Sequence, residues 1–189
     1  LTGAVANFYL TSNINVRAAE GASLQFNQTC AAPDLAFNLN DYTATFDGTV
    51  GVSNGGLGNG GNIVVNSGTL TLNSANRYNG STTINGGTLD LSTGIIYSNA
   101  NWASRVITIT GGGTAKVSSW GDAAAASVGG FGPINFVASN IVVNGGIIEY
   151  VGGAASGNMD RSFTIGSGGA TLVASGSSTW QITDIGRGY

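Results

Sequence analysis

The sequence predicts an all-β fold, a right-handed parallel β-helix (β-solenoid) with irregular corner loops. Three observations predict it: a short unit of two β-type arms recurs, residues after each turn alternate between apolar and polar, and glycine concentrates at the turns. The 189 residues include 32 glycines and two prolines, and 42% of them are apolar. Abundant glycine without a collagen-like period, with enough apolar residues for a core, is typical of a repetitive folded β protein.

The recurring unit is a β-type run, a small polar turn with glycine, and a second β-type run. Each arm is short and rich in Val, Ile, Leu and Thr, which is the length and composition of strands. The copies occupy residues 62–72, 82–91, 106–117, 140–150 and 163–173. We expect a single β-solenoid domain over residues 1–189, a segment of a longer array, with clear repeats at 62–173.

The N-terminal part of the chain, residues 1–50, matches the repeat only in general character. Residues 41–61 are expected to form the coil before the first clear copy. Residues 1–34 are expected to contain strands, without a firmer assignment. At about 20 residues and about 4.8 Å per coil, the whole chain is expected to form roughly nine coils in a rod of about 40–45 Å.

Alternation after the turn predicts which side chains face inward. The residues between the apolar ones are polar in three copies, namely Thr71, Asp90 and Glu149, so one face is exposed to water. We predict a core stack formed by Leu70, Leu72, Leu89, Leu91, Ile148 and Tyr150.

The turns allow two architectures. Asn-Gly pairs favour two-residue hairpins, and therefore an antiparallel meander. A solenoid corner explains better why Gly68 and Gly87 occupy equivalent places, separated by the length of one coil. It also explains why Asn66, Asn85 and Asn144 recur at one turn position, because stacked coils align such residues into a ladder of side-chain amides. The simpler interpretation is that asparagine only tolerates the left-handed backbone of a turn.

Composition excludes several function classes. The six Lys and Arg residues are scattered singly, so a nucleic-acid surface is not expected. Histidine is absent, and no run of about 18 apolar residues predicts a membrane helix. Cys30 is the single cysteine and is expected to be a small buried side chain. The chain begins at Leu1 without a leader pattern, which fits an exported protein after processing or an internal fragment.

The residues that could act in catalysis or ligand binding do not form a recognisable cluster in the sequence. Asp90 and Glu149 stand on equivalent arms and could approach one another, but a solvated face explains them better. The glycine-rich stretch at 55–61 lacks the aspartates of a calcium roll. Asp90 and Glu149 interrupt the Thr-x-Thr pairs, so these pairs do not form the continuous array that binds ice. The tryptophans could bind sugars if they are exposed, but such residues more often cover the core at corners. The tryptophans are Trp102, Trp120 and Trp180. We therefore assign no catalytic, cofactor or metal residue.

The stretch from Ser67 to Leu91 resembles the autotransporter-associated β-strand repeat, also called the passenger-associated transport repeat. The resemblance rests on Gly-Thr-Leu-x-Leu, Ala-Asn-x-Tyr-x-Gly and a second Gly-Thr-Leu-x-Leu. The matching positions are Gly68, Leu70, Leu72, Ala75, Asn76, Tyr78, Gly80, Thr82, Ile84, Gly87, Leu89 and Leu91. The resemblance implies a parallel β-helix in an exported protein at a bacterial cell surface.

Two functions are expected on this basis. The first is a secreted or cell-surface structural or adhesive β-helix that is not an enzyme. Its partner would be itself, through end-to-end stacking or continuation of the solenoid, giving a self-assembling extracellular filament. The alternative is a glycan-binding or glycan-cleaving module on the same scaffold.

Overall fold

The fold was analysed in a computed structural model of the chain. The structure describes residues 8–27, 37–38, 43–53, 57–58, 61–73, 75–76, 78, 80–93, 95–96, 105–119, 130–131, 138–152 and 162–177. These residues form short strands linked by tight corners, with one 3-10 helix at Ala138–Asn140 among them.

The strands belong to two long parallel sheets and a shorter third face. Sheet 1 contains β2 (Ile14–Arg17), β5 (Thr43–Asp47), β8 (Asn62–Val65), β11 (Thr82–Asn85), β14 (Ile107–Thr110), β16 (Ile141–Asn144) and β18 (Thr164–Ile165). Sheet 2 contains β3 (Ser23–Asn27), β6 (Thr49–Ser53), β9 (Thr69–Leu72), β12 (Thr88–Asp90), β15 (Thr114–Val117), β17 (Gly146–Tyr150) and β19 (Ala170–Ala174). The third face consists of two short sheets, one with β1 (Phe8–Tyr9), β4 (Phe37–Asn38) and β7 (Leu57–Gly58), and one with β10 (Ala75–Asn76) and β13 (Ile95–Ile96).

Every strand pair among the described residues is parallel and joins one coil to the next. Thr82, for example, lies between Ile63 of the preceding coil and Ile107 of the following one. The fold is therefore a parallel β-helix, and the antiparallel meander is excluded. Asn85-Gly86 and Asn144-Gly145 form corners because each needs only one glycine at positive φ, 91° and 74° respectively, to turn the chain into the next sheet.

The coils differ in length although their strands keep one register. The interval from Ala44 to Ile63 equals the interval from Ile63 to Thr82. The next interval, from Thr82 to Ile107, is longer, and the one from Ile107 to Ile141 is longer still. The longer intervals agree with the irregular corner loops that the sequence predicts. The described residues form seven coils in each long sheet, where roughly nine were expected for the chain.

The core is a set of columns that run along the axis. In sheet 2 one column passes from Val50 through Leu70, Leu89, Ala115 and Ile148. Alternate residues are buried along each central strand, because successive side chains point to opposite faces. The residues of the predicted core stack are all buried in this core, in sheet 2 or directly after it, namely Leu70, Leu72, Leu89, Leu91, Ile148 and Tyr150.

The first and last coils are less covered than the central ones. Leu172 continues the column of Ile148, and Ile165 continues that of Val143, yet their side chains are 41% and 57% exposed. At the other end Leu24 is 36% exposed. Within the described part of the chain, these side chains have a neighbouring coil on one side only.

A column of glycines lies at the corner between sheets 1 and 2. It runs through Gly48, Gly68, Gly87, Gly113 and Gly146. A Cβ on Gly113 would lie 2.6 Å from the carbonyl oxygen of Ile84, so the coils approach too closely for any side chain there. In the last coil the equivalent residue is Ala170, because Gly169 aligns with Gly145.

Candidate functional site

The first candidate site is an open groove of about 1040 Å³ at the corner between sheets 1 and 2. It exists because neighbouring coils turn this corner with different lengths of chain. Residues 18–22 connect β2 to β3, whereas Gly48 alone connects β5 to β6. The longer loop lines the groove together with Gly48 and Gly68 of the next two coils.

Polar side chains line the groove beside this glycine wall. Arg17 and Glu20 are exposed on the overhanging coil, and Asp47 is the partner of Arg17 in the next coil. Ser67 Oγ lies 3.4 Å from Asp47 Oδ1 and 3.3 Å from the amide nitrogen of Gly48, which donates to it. The groove thus offers one guanidinium, two carboxylates and hydroxyl groups.

Among the described residues, none that lines this groove is aromatic. An exposed aromatic groove was the feature expected of the glycan-binding alternative, and the tryptophans at 102, 120 and 180 lie outside the described residues. Sequence reasoning missed this site, because its depth depends on which corners lie next to one another. Residues 1–50 carry no motif that would have signalled it.

The predicted asparagine ladder occupies one column beside the glycine corner. Asn66 and Asn85 follow Val65 and Ile84, which are partners on adjacent coils. Thr110 lies between Asn85 and Asn144 in this column. The Asn144 amide oxygen accepts a hydrogen bond of 2.7 Å from the Gly168 nitrogen. The ladder stays a prediction, with Thr110 as a break in the column.

The acidic residues of sheet 2 are separated by a cation. Asp90 is the partner of Lys116, and Lys116 is the partner of Glu149 in the next coil. Lys116 Nζ lies 3.5 Å from Asp90 Oδ2, and Glu149 Oε1 accepts a hydrogen bond of 2.5 Å from Ser175 Oγ. A paired-carboxylate mechanism needs two acids flanking one bond, and this alternation places a lysine between them.

Threonines share the same outer surface. Thr69, Thr88 and Thr114 are partners on three successive coils, but Ile147 follows them. The parallel column carries Asp90, Lys116 and Glu149. The flat, uninterrupted threonine array needed for ordering ice is therefore not formed on the described strands of sheet 2.

A second polar cluster is buried in the central coils. The hydroxyl groups of Tyr78 and Thr82 lie 2.6 Å apart, and both residues are fully buried. Burial raises the pKa of Tyr78, while Arg105 and the bond to Thr82 oppose this rise. Burial disfavours the charged form of Arg105 as well, and because that form is the protonated one, the pKa of Arg105 is lowered. Arg105 precedes a repeat copy, and nothing in the sequence signalled that it would be buried.

Other expectations fall where the structure gives no test. Cys30 lies outside the described residues, as do positions 55–56 and 59–60 of the glycine-rich stretch at 55–61. Among the residues that are described, no three His, Cys, Asp or Glu side chains come together as a metal site. No helix within that part of the chain has the length and hydropathy to cross a membrane.

Comparison with known proteins places these features in a family context. The passenger-associated transport repeat matches residues 65–91, which include β9, β11 and β12. An autotransporter adhesin of Brucella suis biovar 1 (strain 1330), BmaC, is 31% identical over 143 residues. The match covers 69% of this chain and 4% of the adhesin's length.

No solved structure matches the chain. The repeat match and the parallel stacking of the coils agree, because β9 and β12, which carry the two Gly-Thr-Leu motifs, are direct neighbours in sheet 2. Residues 65–91 therefore match a passenger-associated transport repeat, and they lie within a parallel β-helix.

Proposed function

We propose that the chain is an adhesive segment of a secreted or cell-surface passenger, acting through the outer surface of its β-helix and not through catalysis. The observation that carries the proposal is the transport repeat, found in a parallel β-helix that is similar to part of an adhesin. A stack of coils with an aliphatic core is a stiff support, since each central coil is bonded to both neighbours. Its outer columns can vary without changing the core.

Display of the chain on a non-adherent bacterium tests the adhesive role. We expect the displayed chain to increase attachment to host cells or to surfaces coated with matrix proteins. The control is the same carrier displaying the Leu89→Ala chain, which keeps the outer surface chemistry but weakens the core. Attachment no greater than that of the empty carrier would contradict the proposal.

The corner groove favours a second candidate, the binding of a glycan by the same scaffold. Carboxylates, a guanidinium and hydroxyl groups beside a glycine wall can bond the hydroxyl groups of a sugar without a bulky side chain in the way. A glycan array would test this, with Arg17→Ala as the groove variant and Lys116→Ala as the control on sheet 2. We expect Arg17→Ala alone to lose binding. Equal binding by both variants would exclude the groove.

The exposed apolar side chains of the last described coil support a further part of the proposal, which is that another coil packs against them. Leu172 and Ile165 occupy core columns but are half exposed, so a coil placed over them would bury apolar surface. We propose that this coil comes from a second copy, as in a filament. Sedimentation over a hundredfold concentration range would show growing particles, and Leu172→Asp would abolish the growth. A single species at all concentrations would contradict the filament.

A further inference from the structure

Arg105 is a cation placed inside the β-helix. It lies two residues before β14, at the start of the fifth coil, and its side chain is 1% exposed. A charged side chain is costly to bury unless it is paired and hydrogen-bonded. A guanidinium buried at this position therefore requires hydrogen-bond acceptors close to its nitrogens.

One of the nitrogens of Arg105 has a partner in the protein. Nη2 donates a hydrogen bond of 2.9 Å to the carbonyl oxygen of Phe131, whose side chain is buried. Nε and Nη1 are buried and have no hydrogen-bond partner among the described residues. Together these two nitrogens carry three N–H groups that point into the protein without an acceptor there.

Within the described residues, the positive charge of Arg105 also has no counter-charge. The one ion pair found in the described part of the chain joins Lys116 to Asp90, so no carboxylate there pairs with Arg105. The titratable group that interacts with Arg105 is Tyr78, a neutral phenol at ordinary pH. The Tyr78 hydroxyl is already bonded to Thr82 and does not neutralise the guanidinium.

We propose that Arg105 holds a small inorganic anion, of the size and charge of chloride, inside the β-helix. The anion accepts N–H groups from Nη1 or Nε and neutralises the guanidinium where water cannot reach it. A small ion fits the observation best, because a side chain only 1% exposed leaves no room for an organic ligand to approach from solvent. The bound ion would join the segment around Phe131 to the coil that begins at Arg105.

Thermal unfolding of the whole chain tests the proposal, with chloride exchanged for gluconate at constant ionic strength. A ligand that binds only the folded chain raises its unfolding temperature, by roughly 5–10 °C when chloride reaches about a hundred times its dissociation constant. We expect this rise for the unsubstituted chain and for Lys116→Met, a control at a cation on the outer surface of sheet 2. Arg105→Met should show no chloride-dependent rise.

Two results would overturn the proposal. One is an unfolding temperature of the unsubstituted chain that does not depend on chloride, and the other is the same dependence in Arg105→Met. If Arg105→Met fails to fold, crystals of the unsubstituted chain grown in sodium bromide decide the question. Anomalous scattering beside Nη1 or Nε of Arg105 supports the site, and its absence there overturns it.

Discussion

The central coils and the last coil share one register but differ in how well they are covered. Leu89 and Leu172 stand in the same column of sheet 2, and the first is fully buried while the second is 41% exposed. The difference shows that burial in this fold is provided by the coils on either side. A residue's place in its own strand decides only whether it points inward.

Truncating the two leucines would test this comparison most strongly. Leu89→Ala leaves a cavity between two coils and should lower the free energy of unfolding by about 2–5 kcal/mol. Leu172→Ala removes a half-exposed side chain and should cost less than about 1 kcal/mol. Denaturant unfolding of both variants measures the difference. Similar losses would mean that the last coil is covered in solution.

The corner glycines of the central and last coils should differ in the same direction, with a somewhat smaller difference in the free energy of unfolding. Gly113→Ala would bring a Cβ to 2.6 Å from the Ile84 carbonyl oxygen, and we expect a loss of about 2–3 kcal/mol. Gly169→Ala in the last coil meets no atom within 4 Å but keeps a φ of 75°, so it should cost about 1 kcal/mol. Unfolding midpoints of the two variants report the order. A larger loss at Gly169 would contradict close packing as the cause.

The buried Tyr78 of the central coils makes a further test possible, because it links the free energy of unfolding to pH. Burial raises the pKa of Tyr78 above its ordinary value of 10.0, so the folded chain holds this proton where the unfolded chain releases it. Its contribution to stability is therefore complete below the ordinary pKa and is lost as pH rises through the higher folded pKa. Tyr78→Phe should remove that part of the alkaline loss, and should cost about 1–2 kcal/mol at neutral pH because Thr82 loses its partner.

Unfolding free energies of the unsubstituted chain and Tyr78→Phe between pH 7 and 11 measure both effects. Thr82→Val is the control, because it removes the same hydrogen bond and keeps the phenol. Parallel pH profiles for Tyr78→Phe and the unsubstituted chain would contradict the assignment.

Substitutions of the charged residues on the outer surface of sheet 2 should change the free energy of unfolding least. The Lys116–Asp90 pair is at the surface of sheet 2, where water screens it, and Lys116→Gln should cost no more than about 0.5 kcal/mol. A double-mutant cycle with Asp90→Asn measures the coupling, which should shrink further at high salt. A coupling above about 2 kcal/mol would show that this surface stabilises the stack as strongly as the core does.

The sequence predicted the parts of the fold that are local to one coil. Alternation identified Leu70, Leu89 and Ile148 as inward-facing, and the equivalent places of Gly68 and Gly87 indicated stacked coils. Unequal coil lengths were predicted as well, because the corner glycines are unevenly spaced after Gly87. The longer coils, which begin at Thr82 and Ile107, depend on loops whose length no strand pattern fixes.

The candidate sites were less predictable because they arise between coils. The corner groove is lined by residues 18–22 of one coil and by Gly48 of the next, and these coils are neighbours because Ile14 pairs with Ala44, far along the chain. The burial of Arg105 depends on Phe131, which lies far along the chain in the same coil. Composition and local pattern carry no information about contacts at such separations.

The unequal coils have a consequence for the reach of a molecule built this way. The long coil from Ile107 to Ile141 advances the stack by one strand spacing, as does the short coil from Ala44 to Ile63. The length of the stack along its axis is therefore determined by the number of coils and not by the number of residues in each coil. Residues inserted between two strands would therefore leave the axial length of the stack unchanged.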